Sequence, residues 1–145
     1  MITVYISGVF DMFHYGHMEL IRQVRRKFPN CRLIAGVHSD KDVATYKRLP
    51  IMTMSERIRT IKISGLVDKV IENAPLLETE RFYQIYDIDK TAHAHSIEQH
   101  EHYRKRFYPE AGDRLVRINY TSSISTSDLI RRILRRRASP DDVVY

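Results

Sequence analysis

Short β-rich apolar runs alternate with amphipathic helical stretches along nearly the whole chain, and this alternation leaves few architectures open. The runs are Ile2–Ser7, Arg32–Val37, Val67–Glu72, Asp89–His93 and Arg114–Ile118. The fourth is poor in β-branched residues and is placed mainly because the alternation requires it. Between the runs, Met18, Leu20, Ile21 and Val24 fall at helical spacing from Gly16 to Lys27, with Pro29 as the stop. Ser39 or Asp40 caps a short helix that ends before a loop at Tyr46–Met54. Ser55-Glu56-Arg57 opens another helix, which closes at Gly65, and Thr79 to Tyr86 reads as a further one. Ser125 or Thr126 caps a final helix that runs to about Arg136. The pattern predicts an α/β fold, a doubly wound parallel five-stranded sheet with helices on both faces.

At 145 residues the chain fits one domain, here residues 1–137, with 138–145 as a C-terminal tail. A single cysteine, Cys31, has no internal partner, so a reducing compartment is expected. No apolar run approaches the roughly 20 residues that span a bilayer. The opening Met1-Ile2-Thr3-Val4-Tyr5 lacks the basic head of a signal peptide, so the expectation is a cytoplasmic protein without a stable membrane anchor. The net charge of +6 is compatible with a phosphorylated ligand, RNA or an anionic membrane and selects none of them. Much of it sits in Arg131-Arg132-Ile133-Leu134-Arg135-Arg136-Arg137, which reads most simply as a solvated helix end favoured by the helix dipole.

In open parallel sheets, ligands bind beyond the carboxyl ends of the strands, where strand order reverses. The segment after the first strand, Gly8-Val9-Phe10-Asp11-Met12-Phe13-His14-Tyr15-Gly16-His17, lies in such a place. His14 and His17 are three residues apart at the mouth of a helix, so both rings can face one side. Gly8 lets the backbone approach a ligand, and the helix aims free N–H groups at the same spot. Donors so placed suit a polyphosphate, on which charge grows as a phosphoryl bond breaks. Each residue also has a plainer reading: polar helix-start residues for the histidines, N-capping for Ser125 and Thr126, and surface positions for Lys47 and Arg57.

The string GVFDMFHYGHMELI resembles the GxFDxxHxGH element of the cytidylyltransferase family, in the larger superfamily of HIGH-motif nucleotidyltransferases. Three further stretches resemble family segments in the family's order. They are Ala35-Gly36-Val37-His38-Ser39-Asp40; Tyr46-Lys47 followed by Met54-Ser55-Glu56-Arg57; and Ser123-Ile124-Ser125-Thr126-Ser127-Asp128. The resemblance covers Met1 to about Arg136 and implies a Rossmann-like nucleotidyltransferase domain that moves CMP from CTP to a small phosphorylated alcohol or amino-alcohol. It implies His14, His17 and Lys47 as catalytic groups at the α-phosphate. Gly8, Val9, Phe10, Asp11, Arg57, Ser125, Thr126 and Ser127 would bind the nucleotide, and Asp11, His93 and His95 the acceptor. Magnesium would accompany CTP, with Asp11 orienting either the loop or the ion. A homodimer is also implied, and no nucleic-acid partner.

The chain departs from the family pattern at informative places. Tyr120 stands where the family's RTxGISTS motif has arginine, and Ser123 where it has glycine. That loss raises the expectation that Arg117 or Arg114 compensates. Ala94-His95 replaces an acidic pair, and Leu76 replaces an aromatic residue that would face a quaternary ammonium. Choline phosphate therefore reads as a poor acceptor, while ethanolamine phosphate or glycerol 3-phosphate remain open. The cluster His93, His95, His100 and His102 lacks cysteines and regular spacing, so it reads as a solvated helical segment rather than a zinc site, and no metal-binding residue is assigned. Two other readings stand beside this one: an ATP-dependent adenylyltransferase on the same fold, and a catalytically impaired nucleotide- or RNA-binding protein.

Overall fold

A computed structural model describes residues 1–137; the proposed tail, 138–145, lies outside the described residues. Five strands form one parallel sheet: β1 (Thr3–Gly8), β2 (Arg32–Val37), β3 (Lys69–Glu72), β4 (Lys90–Ala94) and β5 (Leu115–Ile118). Their order is β3-β2-β1-β4-β5, so the chain builds outward on one side of β1, then crosses to the other. The reversal falls between β1 and β4. Six helices join the strands: α1 (Tyr15–Lys27), α2 (Asp40–Ala44), α3 (Met54–Ser64), α4 (Glu80–Tyr86), α5 (His100–Phe107) and α6 (Thr126–Arg137).

Strand alternation divides the core between two faces. Val4, Ile6, Leu33 and Ala35 point to one, where they meet Ile21 and Val24 of α1 and Ile58 and Ile61 of α3. Tyr5 and Ile34 point to the other, against Phe82 and Tyr83 of α4, with Tyr108 and Ala111. The two-sided burial accounts for the near-continuous apolar run in β1 and β2. Gly36 is fixed by this packing, since a Cβ there would overlap the Tyr5 hydroxyl and come 2.8 Å from the Ala74 Cβ.

The third strand starts at Lys69 rather than Val67. Before it, the Asp68 carboxylate accepts the Leu33 N–H at 2.6 Å and a bond from Arg25 at 2.9 Å, while Leu66 and Val67 pack on the core. The histidine-rich segment is helical from His100, but only partly solvated: Tyr103 and Phe107 pack against the second core cluster.

Candidate active site

The element that shapes the site is the start of α1. His14 is its N-cap, and its Nδ1 accepts the Gly16 N–H at 3.1 Å. His17, in the first turn, returns the contact: its Nδ1 accepts the His14 N–H at 3.1 Å. Two histidines thus form the capping box that Ser and Glu usually make. The rings stack with centroids 3.9 Å apart. Gly16 is required here, because a Cβ would lie 3.0 Å from the His14 ring and 3.2 Å from Ile124. Phe10 and Met12 hold left-handed conformations (φ 54° and 46°) that turn the chain from β1 into the helix.

The cap fixes chemistry as well as shape. An Nδ1 that accepts a backbone N–H carries no proton, so each neutral ring holds its hydrogen on Nε2. His14 Nε2 lies 3.3 Å from Thr126 Oγ1, which itself donates to the Asp11 carbonyl at 2.9 Å. Burial, then neighbouring His14 and Lys47, push the His17 pKa down to about 3, and burial also lowers that of His14. Both rings are neutral Nε2–H donors.

A cavity of about 500 Å³ opens at the carboxyl ends of β1, β4 and β5, at the strand reversal. Among sequence-predicted residues it is lined by Gly8, Val9, Phe10, Asp11, His14, His17, Lys47, His93, Ser125, Thr126 and Ser127. Ser125 caps the facing helix, its Oγ accepting the Asp128 N–H at 3.1 Å, so α1 and α6 both turn their N-termini toward this space. Burial lowers the Lys47 pKa, with Arg48 second, and among the described residues no carboxylate pairs with its ammonium. Lys47 is exposed as a residue, and its unpaired ammonium at the cavity wall favours an anionic ligand.

Three expectations are corrected. Arg57 does not face the cavity. Its guanidinium is wholly buried and donates to the carbonyls of Met52, Val9 and His38 and to Asp40, at 3.1, 2.6, 2.9 and 2.6 Å. It clamps the β1 loop, the end of β2 and the lysine loop together. Asp11 has its carboxylate committed to the N–H groups of Ile51 and Met52, at 2.8 and 2.9 Å, so it holds the lysine loop rather than acceptor or metal. His95 is 1% exposed and lines neither cavity, because its two ring nitrogens bond His93 and His100.

The expected replacements for the missing family arginine are also engaged elsewhere. Arg114 pairs with Glu80 and Arg117 donates to the His95 carbonyl. Arg48 instead brings a guanidinium to the cavity and reaches Ser127 Oγ at 3.3 Å. Its place directly after Lys47 is the signal that sequence reading passed over. Glu78 was missed as well. It is 1% exposed beneath β1, accepts from Ser7 and Tyr83 at 3.1 and 3.0 Å, and burial raises its pKa to about 7.

A second cavity of about 240 Å³ adjoins the first, sharing Ser7, Gly8, Val9, Lys47 and His93. Its wall adds His38, Tyr46, Leu76, His102, Tyr103, Arg106, Phe107 and Tyr108, and among the described residues no carboxylate. Among the described residues no group of three or more His, Cys, Asp or Glu is arranged to hold a metal ion, and no helix is long and apolar enough to cross a membrane.

The cytidylyltransferase-like family model matches residues 5–132. The chain belongs to that family. Choline-phosphate cytidylyltransferase of Saccharomyces cerevisiae is 37% identical over 138 residues, covering 92% of this chain and 32% of the yeast protein. Ethanolamine-phosphate cytidylyltransferase of Dictyostelium discoideum is 30% identical over 140 residues, covering 92% of this chain and 37% of that protein. The chain thus spans about a third of the length of these relatives. A lipopolysaccharide core biosynthesis protein from Thermoplasma volcanium shares the fold, with TM-score 0.66, 21% identity, and coverage of 84% of this chain and 99% of that one.

Proposed function

We propose that the chain transfers CMP from CTP to a small phosphorylated alcohol, with release of pyrophosphate. The observation that carries this reading is the reciprocal His14–His17 cap, which sets two Nε2–H donors beside an unpaired Lys47 at the mouth of a helix. An acceptor phosphate oxygen, already ionised at neutral pH, attacks the α-phosphorus in line. The bond from that phosphorus to the bridging oxygen breaks, and pyrophosphate leaves with the electron pair. The two imidazoles and Lys47 donate to the charge that grows on the phosphoryl oxygens. Neutral donors suit this task, since they stabilise new charge without having to release a proton.

Magnesium does not fit a protein-built site here. Among the described residues Asp11 is the only carboxylate lining the larger cavity, and a single carboxylate, each of whose oxygens already accepts a backbone N–H, does not make a cation site. The ion enters this proposal only as a counterion carried by the nucleotide.

The smaller cavity is the proposed acceptor site, joined to the first through His93. Two of its rings already carry a cation: Lys47 lies 5.5 Å from the Tyr46 ring centroid and Arg106 lies 5.2 Å from that of Phe107. With cations on two of the rings and no carboxylate in the wall among the described residues, a neutral hydroxylated head group is favoured over a charged amine. The expected order is glycerol 3-phosphate, then ethanolamine phosphate, then choline phosphate. Pyrophosphate release, measured with CTP and with ATP against these acceptors, tests the reading. Turnover with CTP is expected, with a loss of about a hundredfold or more in His17→Ala. Folded protein that releases no pyrophosphate with any acceptor overturns the proposal.

A further inference from the structure

His93, His95 and His100 are joined in a line that runs from the cavity wall to helix α5. His93 Nδ1 lies 2.9 Å from His95 Nδ1, and His95 Nε2 lies 2.8 Å from His100 Nδ1. Tyr103 stacks on His95 with centroids 5.0 Å apart and sits 4.6 Å from His93, fixing both rings. His93 Nε2 has no hydrogen-bond partner among the described residues, yet it is not among the buried polar atoms left unpartnered. It therefore opens into the cavities that His93 lines.

Each of the two N···N contacts holds one hydrogen, which leaves only two arrangements for three neutral rings. In the inward one, His100 Nδ1–H donates to His95 Nε2, His95 Nδ1–H donates to His93 Nδ1, and His93 presents Nε2–H to the cavity. In the outward one both bonds reverse, and His93 presents a bare nitrogen. A second proton on His100 occupies both its nitrogens and forbids the outward arrangement. The cavity then gains a donor while the charge stays on His100.

We propose that these three histidines form a tautomer relay, in which protonation of His100 makes His93 Nε2 a hydrogen-bond donor for the phosphate of the acceptor. Only the identity of the ligand rests on the cytidylyltransferase reading. His93 would touch the acceptor, and His95 and His100 would act as positioning residues. The groups around the relay keep the charge at its outer end. Lys47, His38 and Tyr108 face His93, Arg117 and Tyr103 face His95, and Glu101 lies beside His100. Burial, with His95 and Lys47, holds the His93 pKa near 3, and burial, with His100 and Arg117, holds that of His95 near 4, so neither inner ring takes the proton itself. Linkage makes the effect reciprocal: a phosphate on His93 Nε2 selects the inward arrangement and favours protonation of His100.

The test is imidazole ¹⁵N NMR on the whole chain, with inorganic phosphate as the probe, for wild type and His100→Asn. In wild type, His93 is expected to shift toward its Nε2–H form as pH falls through the titration of His100 seen in the same spectra, and phosphate is expected to raise that midpoint. In His100→Asn, which keeps a polar group but cannot titrate, the pH dependence of the His93 tautomer is expected to vanish. With acceptor and CTP, the ratio of wild-type to variant KM for the acceptor should change by about threefold or more between the two tautomer states that the spectra define, while the ratio for CTP stays constant. Taking the ratio cancels the acceptor's own ionisation. A His93 tautomer that is the same on both sides of the His100 titration overturns the relay. A switching tautomer in a protein that turns over no acceptor leaves the relay standing and removes the cytidylyltransferase reading instead.

Discussion

His14 and His17 hold each other in place: the backbone N–H of His14 donates to Nδ1 of His17, and Nδ1 of His14 receives the N–H of Gly16. Helix capping and the proposed transfer chemistry therefore draw on opposite nitrogens of the same rings, and the two uses can be separated by substitution. Asparagine places an acceptor near the Nδ1 position and nothing near Nε2. In His17→Asn the melting temperature is expected to stay close to wild type while turnover falls about a hundredfold or more. In His17→Ala both are expected to fall, with a stability loss of about 1 kcal/mol for the missing cap. Thermal unfolding and pyrophosphate release on the two variants check this.

Arg57 is expected to matter for folding more than for nucleotide contact. Arg57→Met leaves the Val9, His38 and Met52 carbonyls without their donor and Asp40 without its counterion. The expected cost is about 3 kcal/mol or more, read as a lower urea midpoint. Asp40 is 38% exposed, so water compensates part of its share.

Lys47 should behave in the opposite way. Its ammonium is only partly desolvated and pairs with no carboxylate among the described residues, so Lys47→Ala removes no contact that stabilises the fold. The melting temperature is expected to hold or rise, while turnover with CTP drops about a hundredfold. A calorimetric scan and an activity assay on one preparation suffice.

Glu78 gives the protein a pH dependence of definite sign. Its pKa is raised from 4.5 to about 7 by burial, so between these values the folded chain binds more protons than the unfolded chain. This contribution to stability is fully present below about pH 4.5, declines as pH rises, and is lost above about pH 7. Glu78→Gln, which keeps acceptor oxygen for Ser7 or Tyr83, is expected to be more stable than wild type at pH 8 by about 2–3 kcal/mol and to match it near pH 4.5. The difference between the two urea-unfolding curves across pH isolates this residue from the histidines, whose lowered pKa values act in the reverse direction.

The sheet was legible because its strands are buried on two faces and read as nearly unbroken apolar runs; β2 was read with both its ends correct. The ends of β1, β3, β4 and β5 lie one or two residues from the expected ones; before β3 and β4, Asp68 and Asp89 accept N–H groups of adjoining strands with their carboxylates, which no periodicity reveals. The histidine pair was legible from its motif. Arg57 was not, since resemblance offered a phosphate and the residue chose backbone carbonyls. Its neighbours carried a hint: Arg57 lies on the same buried face of α3 as Ile58 and Ile61. His95 was misread for a related reason, since strand alternation next to His93 does not show that the following turn buries it against His100.

Tyr5 and Gly36 meet across β1 and β2 so closely that neither can change freely. The phenol oxygen is buried without a hydrogen-bond partner, and the space a Cβ at Gly36 would need is the space it fills. Loss of that hydroxyl alone does not open position 36, because a Cβ there would still lie 2.6 Å from Tyr5 Cζ and 2.8 Å from the Ala74 Cβ. A side chain at position 36 therefore asks for change at the ring of residue 5 and at Ala74 together, so the first two strands and the loop after the third accept change only as a set.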